Sequence, residues 1–285
     1  MSDVQLYAVE EDGVRPLPVP PHITDFTGLY GGLELGVYSA LRTFDHDKFL
    51  YLENHIARTV SSMRLLGWDY LLDEGRLRQA LHEVCVAYPL PEARVRFDVL
   101  AAAPAHLGTT SRELIGLIPF PPIPPRFYKT GVKVALAADL HRKTPLAKTA
   151  TFAQMRQLVQ RSPDIYEHLL ISPAEEILEG MGMNFYGVMD GVLHTAGKGV
   201  LAGITRKIIL DLAADLQIPV SLTAVHVSQL PQLQEAALSS SSRALLPVVQ
   251  IGDAIVGDGR PGPICRRLLK AYNSFVSRQI KMAVE

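Results

Sequence analysis

Cysteine is scarce: the chain of 285 residues has two, Cys85 and Cys265, each in a helix-like stretch and neither in a Cys-x-x-Cys pair. A disulfide framework and a thiolate zinc site are therefore not expected. No apolar run approaches the ~20 residues that a membrane span needs. The N-terminal "MSDVQLYAVEEDG" also lacks the apolar centre of a signal peptide, so a soluble, cytoplasmic protein is expected. An excess of one charge is missing too. Lys and Arg number 28 against 29 Asp and Glu, a net charge of −1, and no basic stripe or polybasic patch forms for nucleic acid or a membrane surface. Nine histidines are present without a His-x-x-x-His spacing, and no Gly-x-Ser-x-Gly elbow occurs, so neither a metal site nor a serine-hydrolase site is expected.

What remains is an ordinary globular composition, 48% hydrophobic and 20% charged, enough for one large or two ordinary domains. There is no repeat and no low-complexity tract. One boundary stands out: "IPFPPIPPRFYKTG" places five prolines in the seven positions from Pro119 to Pro125. Such a segment cannot join a helix interior or a central strand and reads as an extended linker. The expected domains are 1–118 and 131–285, with 119–130 between them. In the first, strands at "GVYSALRTF" and "KFLYL" flank Asp45-His46-Asp47. Amphipathic helices follow at "ENHIARTVSSMRLLG" and "EGRLRQALHEVCVAY", then strands at "ARVRFDVLAAA" and "ELIGLIPF". The order ββααββ suggests an α+β layer on an antiparallel sheet. The second domain starts with the strand "GVKVALAA" and the helix "FAQMRQLVQRS". After these come the strand "EHLLIS" and a hairpin "NFYGVMDGVLHTA" turning at Asp190-Gly191. The helix "GITRKIILDLAADLQ", capped at Thr205 or a neighbour, precedes strands near "LTAVHVS" and "LLPVVQI" and the final helix "PICRRLLKAYNSFVSRQI".

Four stretches can carry chemistry. "EILEGMGMNF" sets one acid, Glu179, in an apolar run before Gly180 and Gly182, and a buried carboxylate needs a cationic or hydrogen-bonding partner. "LAGITRKIIL" opens a helix whose free amides and Thr205 hydroxyl make an anion site, with a plain N-cap as the bland alternative. "LSSSSRALLPV" has four serines, Ser239 to Ser242, able to form a turn or to bind phosphate oxygens. "HRKTPLAKTATF" contains Lys143 and Lys148. Lys148, beside Leu146, Ala147 and Ala150, has the more apolar setting, and desolvation favours the neutral, nucleophilic amine.

The order of these features, after an arginine in a first-domain helix, resembles the class IV (fold type IV) pyridoxal-phosphate aminotransferases. That family includes branched-chain and D-amino acid aminotransferases and aminodeoxychorismate lyase. The likeness runs from about Gly36 to "GPICRRL" near the C-terminus and is most specific in "ILEGMGMNFYGVMDGVLHTA" and "LAGITR". It implies a two-domain α+β fold, a smaller N-terminal α+β domain and a larger C-terminal α/β pseudo-barrel, with pyridoxal 5′-phosphate bound between them. By the same resemblance Lys148 is the lysine that carries the cofactor and moves the proton. Arg58, in "His-x-x-Arg", grips the phosphate. Gly203, Ile204 and Thr205 at the helix start, with Ser240 or Ser241, complete the phosphate cup. Glu179 faces the ring nitrogen, the cofactor itself being the cation that makes its burial tolerable, and Asn184 holds the turn.

The chain departs from the family on the substrate side. It has Thr151-Phe152 where many members place Asn-Tyr after the lysine, and Tyr38-Ser39 where several read Phe-Glu. Arg96 and next Arg94, sent to one face of "ARVRFDVL" by strand alternation, are the candidate anchors for a substrate carboxylate, with a surface pair as the alternative. The expected activity is transfer of an amino group between an amino acid, branched-chain-like or D-, and a 2-oxo acid, by a homodimer. The alternatives are an aminodeoxychorismate lyase on the same scaffold and a non-catalytic homologue.

Overall fold

Strand and helix signals sort the chain into two units, seen in a computed structural model that describes residues 3–282 except 35, 138, 139, 141, 143 and 156–161. The first unit comprises Met1–Pro121, Ala147–Gln157 and Gln279–Glu285, the second Pro122–Leu146 and Leu158–Arg278. The segment carrying Lys148 is grouped with the N-terminal unit, whereas the sequence places it in the stretch 131–285.

The first unit contains β1 (Gln5–Glu10), β2 (Gly13–Leu17), α1 (Phe26–Leu29), β3 (Val37–Arg42), α2 (Leu52–Leu65), α3 (Glu74–Ala87), β4 (Ala93–Val99) and β5 (Glu113–Pro119). Its sheet has the order β2-β1-β5-β4-β3, antiparallel throughout. The hairpin β1–β2 is absent from the expected ββααββ order, although Asp12-Gly13 is an ordinary turn signal. "KFLYL" is not a strand. Only the Phe44↔Lys48 bridge remains of it, because the chain turns at Asp45 and His46 (φ 46° and 68°) and again at Tyr51 (φ 52°) to enter α2. Strand alternation divides β5 between two clusters. Ile115 and Leu117 pack with Leu77, Leu81 and Val84 of α3, whereas Leu114 and Ile118 pack with Leu6 and Leu29. Both faces of the sheet are covered, which explains the near-continuous apolar run of β5.

The remaining elements are α4 (Pro125–Thr130), β6 (Val132–Ala137), α5 (Ala150–Met155), β7 (Glu167–Ile171), β8 (Glu176–Gly180), β9 (Asn184–Met189), β10 (Val192–His194) and α6 (Ile204–Asp215). They continue with β11 (Val220–Ser221), β12 (Val225–His226), β13 (Glu235–Ser240), β14 (Ala244–Ile251), β15 (Ala254–Ile255) and α7 (Pro263–Met282). Of these, α5 lies in the first unit, and the rest of its expected helix falls outside the described residues. The Pro-rich stretch is not wholly extended. Its last proline starts α4, where the missing N–H costs nothing.

In the second unit the strand path runs β11-β10-β9-β13-β14-β6-β7-β8-β12, and β8 pairs again with β9. The six strands β9-β13-β14-β6-β7-β8 therefore close into a ring. The β8–β9 seam is a single register pair, Glu179↔Asn184, so the family-like motif sits where the barrel shuts. Val134, Leu169, Phe185, Leu238 and Leu246 fill the interior cluster. The β9–β10 hairpin turns at Asp190-Gly191 with φ 49° and 76°, as its Asp-Gly pair requires.

At the start of α7 the buried carboxylate of Glu235 accepts from Ile264 N at 2.9 Å and Cys265 N at 2.7 Å. It thereby ties β13 to the helix N-terminus and meets the helix dipole. Burial, helped by the same carboxylate, pushes the Cys265 thiol well above its ordinary value, so this cysteine stays protonated. Glu235→Ala removes both acceptors and is expected to cost about 1–3 kcal/mol of stability. Urea unfolding of the variant checks it, with far-ultraviolet dichroism confirming that the helix persists.

Candidate active site

Lys148 is seated in the first unit by its own backbone. Its carbonyl accepts from Tyr38 N at 3.1 Å, Ala150 N donates to Gly36 O at 2.9 Å, and Val37 bridges Thr149, so residues 148–150 line the edge of β3. The Lys148 amide donates to Ser62 Oγ of α2 at 3.1 Å. The side chain is half-buried, and its Nζ lies 4.8 Å from the centre of the Tyr38 ring, a cation–π distance. Of its expected apolar neighbours, Ala147 and Ala150 are buried and Leu146 is exposed. Lys143 lies outside the described residues.

The half-buried Arg58 projects from α2 in the same unit. One of its terminal nitrogens donates to Ser39 Oγ at 3.0 Å and lies 3.4 Å from His55 Nδ1. His55 is buried. That burial, together with the positive charges of Arg58 and Lys148, holds its imidazole well below the ordinary 6.5. A neutral ring can offer Nδ1 as an acceptor.

Arg96 does not match its expected role as an open anchor. Strand alternation does place Arg94, Arg96 and Asp98 on one face of β4, but the Arg96 guanidinium is spent on Asp98, with contacts of 2.8 and 2.5 Å. It also stands 4.1 Å from the ring centres of both Tyr30 and Tyr38. Both charges are buried, so this pair is a structural element of the sheet that braces Tyr38. Arg94, half-buried over Phe26 at 5.4 Å, is left as the substrate-side candidate.

The second unit holds the acid. Glu179 is 2% exposed. Its Oε2 accepts from Asn184 Nδ2 at 3.2 Å and Leu201 N at 3.3 Å, and its Oε1 lies 2.8 Å from Nε of Arg142. The protein itself therefore supplies a cation, where the sequence reading assigned that task to the cofactor. The only sequence signal for Arg142 was the rule that a buried acid needs a positive partner. Asn184 does more than hold its turn, since Nδ2 also donates to Leu201 O at 3.0 Å and binds the 201 loop to the seam.

Helix α6 starts at Gly203 as N-cap, not at Thr205, and no side chain caps it. Thr205 is buried rather than outward-facing. Gly203 is required by a close neighbour: a Cβ there would meet Asn184 Oδ1 at 2.0 Å. Among the serines, Ser239 is committed to Tyr186, with Oγ and OH 2.8 Å apart. The Ser240 hydroxyl is enclosed and has no hydrogen-bond partner among the described residues, and Ser241 lies half-buried in the turn that follows. Uncapped helix amides and an orphaned hydroxyl are donors suited to a phosphate. Buried Glu179 suits a protonated ring nitrogen, and Lys148 supplies a primary amine, so the donor set fits pyridoxal phosphate. Among the described residues, no cluster of metal ligands occurs and no helix is long and apolar enough to cross a membrane.

The model of the amino-transferase class IV family matches residues 36–251, and the chain belongs to that family. It is 27% identical to a "Probable branched-chain-amino-acid aminotransferase" of Thermotoga maritima over 88% of this chain and 90% of that one. It is 36% identical to the D-alanine aminotransferase of Staphylococcus haemolyticus over 104 residues, 36% of this chain and 37% of that one. This chain thus matches little more than a third of the length of that D-alanine enzyme. Among solved structures, the branched-chain aminotransferase of the thermophilic archaeon Thermoproteus uzoniensis, determined with norvaline, superposes with a TM-score of 0.74. That match has 20% identity over 96% of this chain and 95% of that one, and it shows the shared fold.

Burial of neutral His55 has a consequence for acid stability. Below the ordinary 6.5 the unfolded chain protonates this imidazole while the folded protein does not, so stability falls as pH drops through that value and continues to fall toward the lower folded value. The slope from this one group reaches about 1.4 kcal/mol per pH unit. His55→Phe is expected to unfold with a correspondingly shallower loss between pH 7 and pH 5, measured by urea titration at each pH.

Proposed function

We propose that this protein transfers an amino group between an amino acid and a 2-oxo acid with pyridoxal 5′-phosphate as cofactor. The observation that carries the reading is the buried, cation-matched Glu179 at the barrel seam of a class IV family member. When bound, the cofactor supplies an electrophilic carbon for amines and a ring that takes up electron density from the substrate's α-carbon. Lys148 would hold the cofactor through its amine, and the same amine is the base that would take the proton from the substrate's Cα. Glu179 holds a proton on the ring nitrogen, and Arg142 supplies positive charge to keep the acid in place. The residues that would hold the phosphate are Arg58, through its guanidinium, Ile204 and Thr205, through their amides, and Ser240 and Ser241, through their hydroxyls. Gly203 serves this cup indirectly, by letting α6 start against Asn184.

Arg94 binds the substrate carboxylate in this proposal, and the partners are an amino acid, a 2-oxo acid and a second copy of the chain. The relatives named above are aminotransferases, and no observation favours the lyase alternative.

The test is chemical. Borohydride reduction of cofactor-loaded protein, followed by peptide mapping, is expected to leave the pyridoxyl group on Lys148. A label on Lys143, or none, overturns the assignment. Purified protein offered L- and D-amino acids then shows which donors convert the aldehyde form of the cofactor to the amine form.

Glu179→Gln keeps the size of the side chain and is expected to bind the cofactor at Lys148 as before. Loss of the negative charge at the ring nitrogen should slow proton removal by about 10- to 100-fold, the rate equivalent of one charge-assisted hydrogen bond. Single-turnover absorbance with a good donor reads the step, and a rate equal to that of the unaltered protein would show that Glu179 serves only the seam.

A further inference from the structure

Arginine brings flexibility to any site it serves, because immobilising its long side chain costs rotamer entropy. Arg58 is fixed in advance on its inner side. Ser39, on β3, is 0% exposed. Its Oγ accepts from the Arg58 guanidinium at 3.0 Å and has a single proton, which goes to the carbonyl of His55 at 3.3 Å. That carbonyl also accepts from Thr59 Oγ1, one helical turn on, at 3.1 Å. The donor order is therefore settled as Arg58 to Ser39 to the α2 backbone, and Ser39 cannot turn its lone pairs elsewhere without losing its own acceptor. The second inward contact is His55 Nδ1, 3.4 Å from the same guanidinium nitrogen. Sheet and helix thus hold the arginine from two directions.

We propose that Ser39 and His55 are positioning residues that preset the Arg58 guanidinium for the cofactor's phosphate. This inference rests on the reading of Arg58 as a phosphate residue. Ser39→Ala then loses affinity only for ligands that carry the phosphate, because the residue acts through Arg58. A merely structural serine beside the Lys148 segment would weaken every ligand alike.

The experiment titrates cofactor-free protein with pyridoxal 5′-phosphate and with unphosphorylated pyridoxal, followed by absorbance. Ser39→Ala is expected to weaken the phosphorylated ligand by about 3- to 10-fold, the worth of one net hydrogen bond, and to leave pyridoxal unchanged. In an Arg58→Ala background the Ser39→Ala change is expected to have no further effect. Equal weakening of both ligands, no weakening of either, or full additivity with Arg58→Ala overturns the inference. Failure of the parent reading looks different: Arg58→Ala itself then leaves the phosphorylated ligand as tightly held as before. Should Ser39→Ala fail to fold, the His55 pair decides the matter. His55→Asn, which offers Oδ1 in place of Nδ1, is expected to keep phosphate discrimination and His55→Phe to lose part of it. Identical behaviour of those two variants overturns the proposal.

Discussion

A carboxylate buried at a strand seam has to be matched, and the matching of Glu179 organises the second unit. The β8–β9 closure has one register pair, so the backbone ladder alone does little to shut the barrel there. Side chains complete it. Asn184 donates from the opposite strand and Leu201 from the following loop, and Arg142, from the segment after β6, brings its charge within 2.8 Å. Three separate stretches converge on one anion, and removing either charge would strand the other at a cost of several kcal/mol. The loop fixed in this way leads straight into Gly203 and the uncapped amides of α6. One ion pair therefore sets both the acid and the helix start within the same unit.

In the first unit, positive charge is disposed of by sheet chemistry. Arg96 lies against Asp98 between two tyrosines, Arg112 lies 5.0 and 4.5 Å from the ring centres of Trp68 and Tyr70, and Arg42 lies 3.9 Å from that of Phe120. These cations are absorbed where they stand. Arg58 differs in having its inner edge tethered by neutral acceptors, which leaves its charge uncancelled by those two partners.

Much of this was legible in the sequence where a local rule sufficed. The long helices α2, α3, α6 and α7, the strands β4 and β5, and the Asp190-Gly191 hairpin all follow from period and turn chemistry. Glu179 announced itself as an acid in apolar surroundings. The failures share a cause in non-local contacts. "KFLYL" has strand composition but is overruled by the turn into α2. Arg96 was offered as an anchor because Asp98, two residues on, was not weighed as its partner. Arg142 could not be paired with Glu179 from spacing, since 37 residues separate them in the chain. The close contact of Gly203 with Asn184 has no sequence signal, because only the folded chain brings the two together.

The chain leaves the first unit after Pro121, returns for Ala147–Gln157 and leaves again. Lys148 is therefore encoded within a stretch whose flanks both belong to the other unit, while the β3 edge that seats it is encoded more than a hundred residues earlier. A recombination event that exchanges residues 1–121 as a block would carry Tyr38 and Ser62 away from the lysine they accommodate. A single crossover cannot shuffle this unit between genes intact. Its inheritance is coupled to segments encoded far apart along the coding sequence.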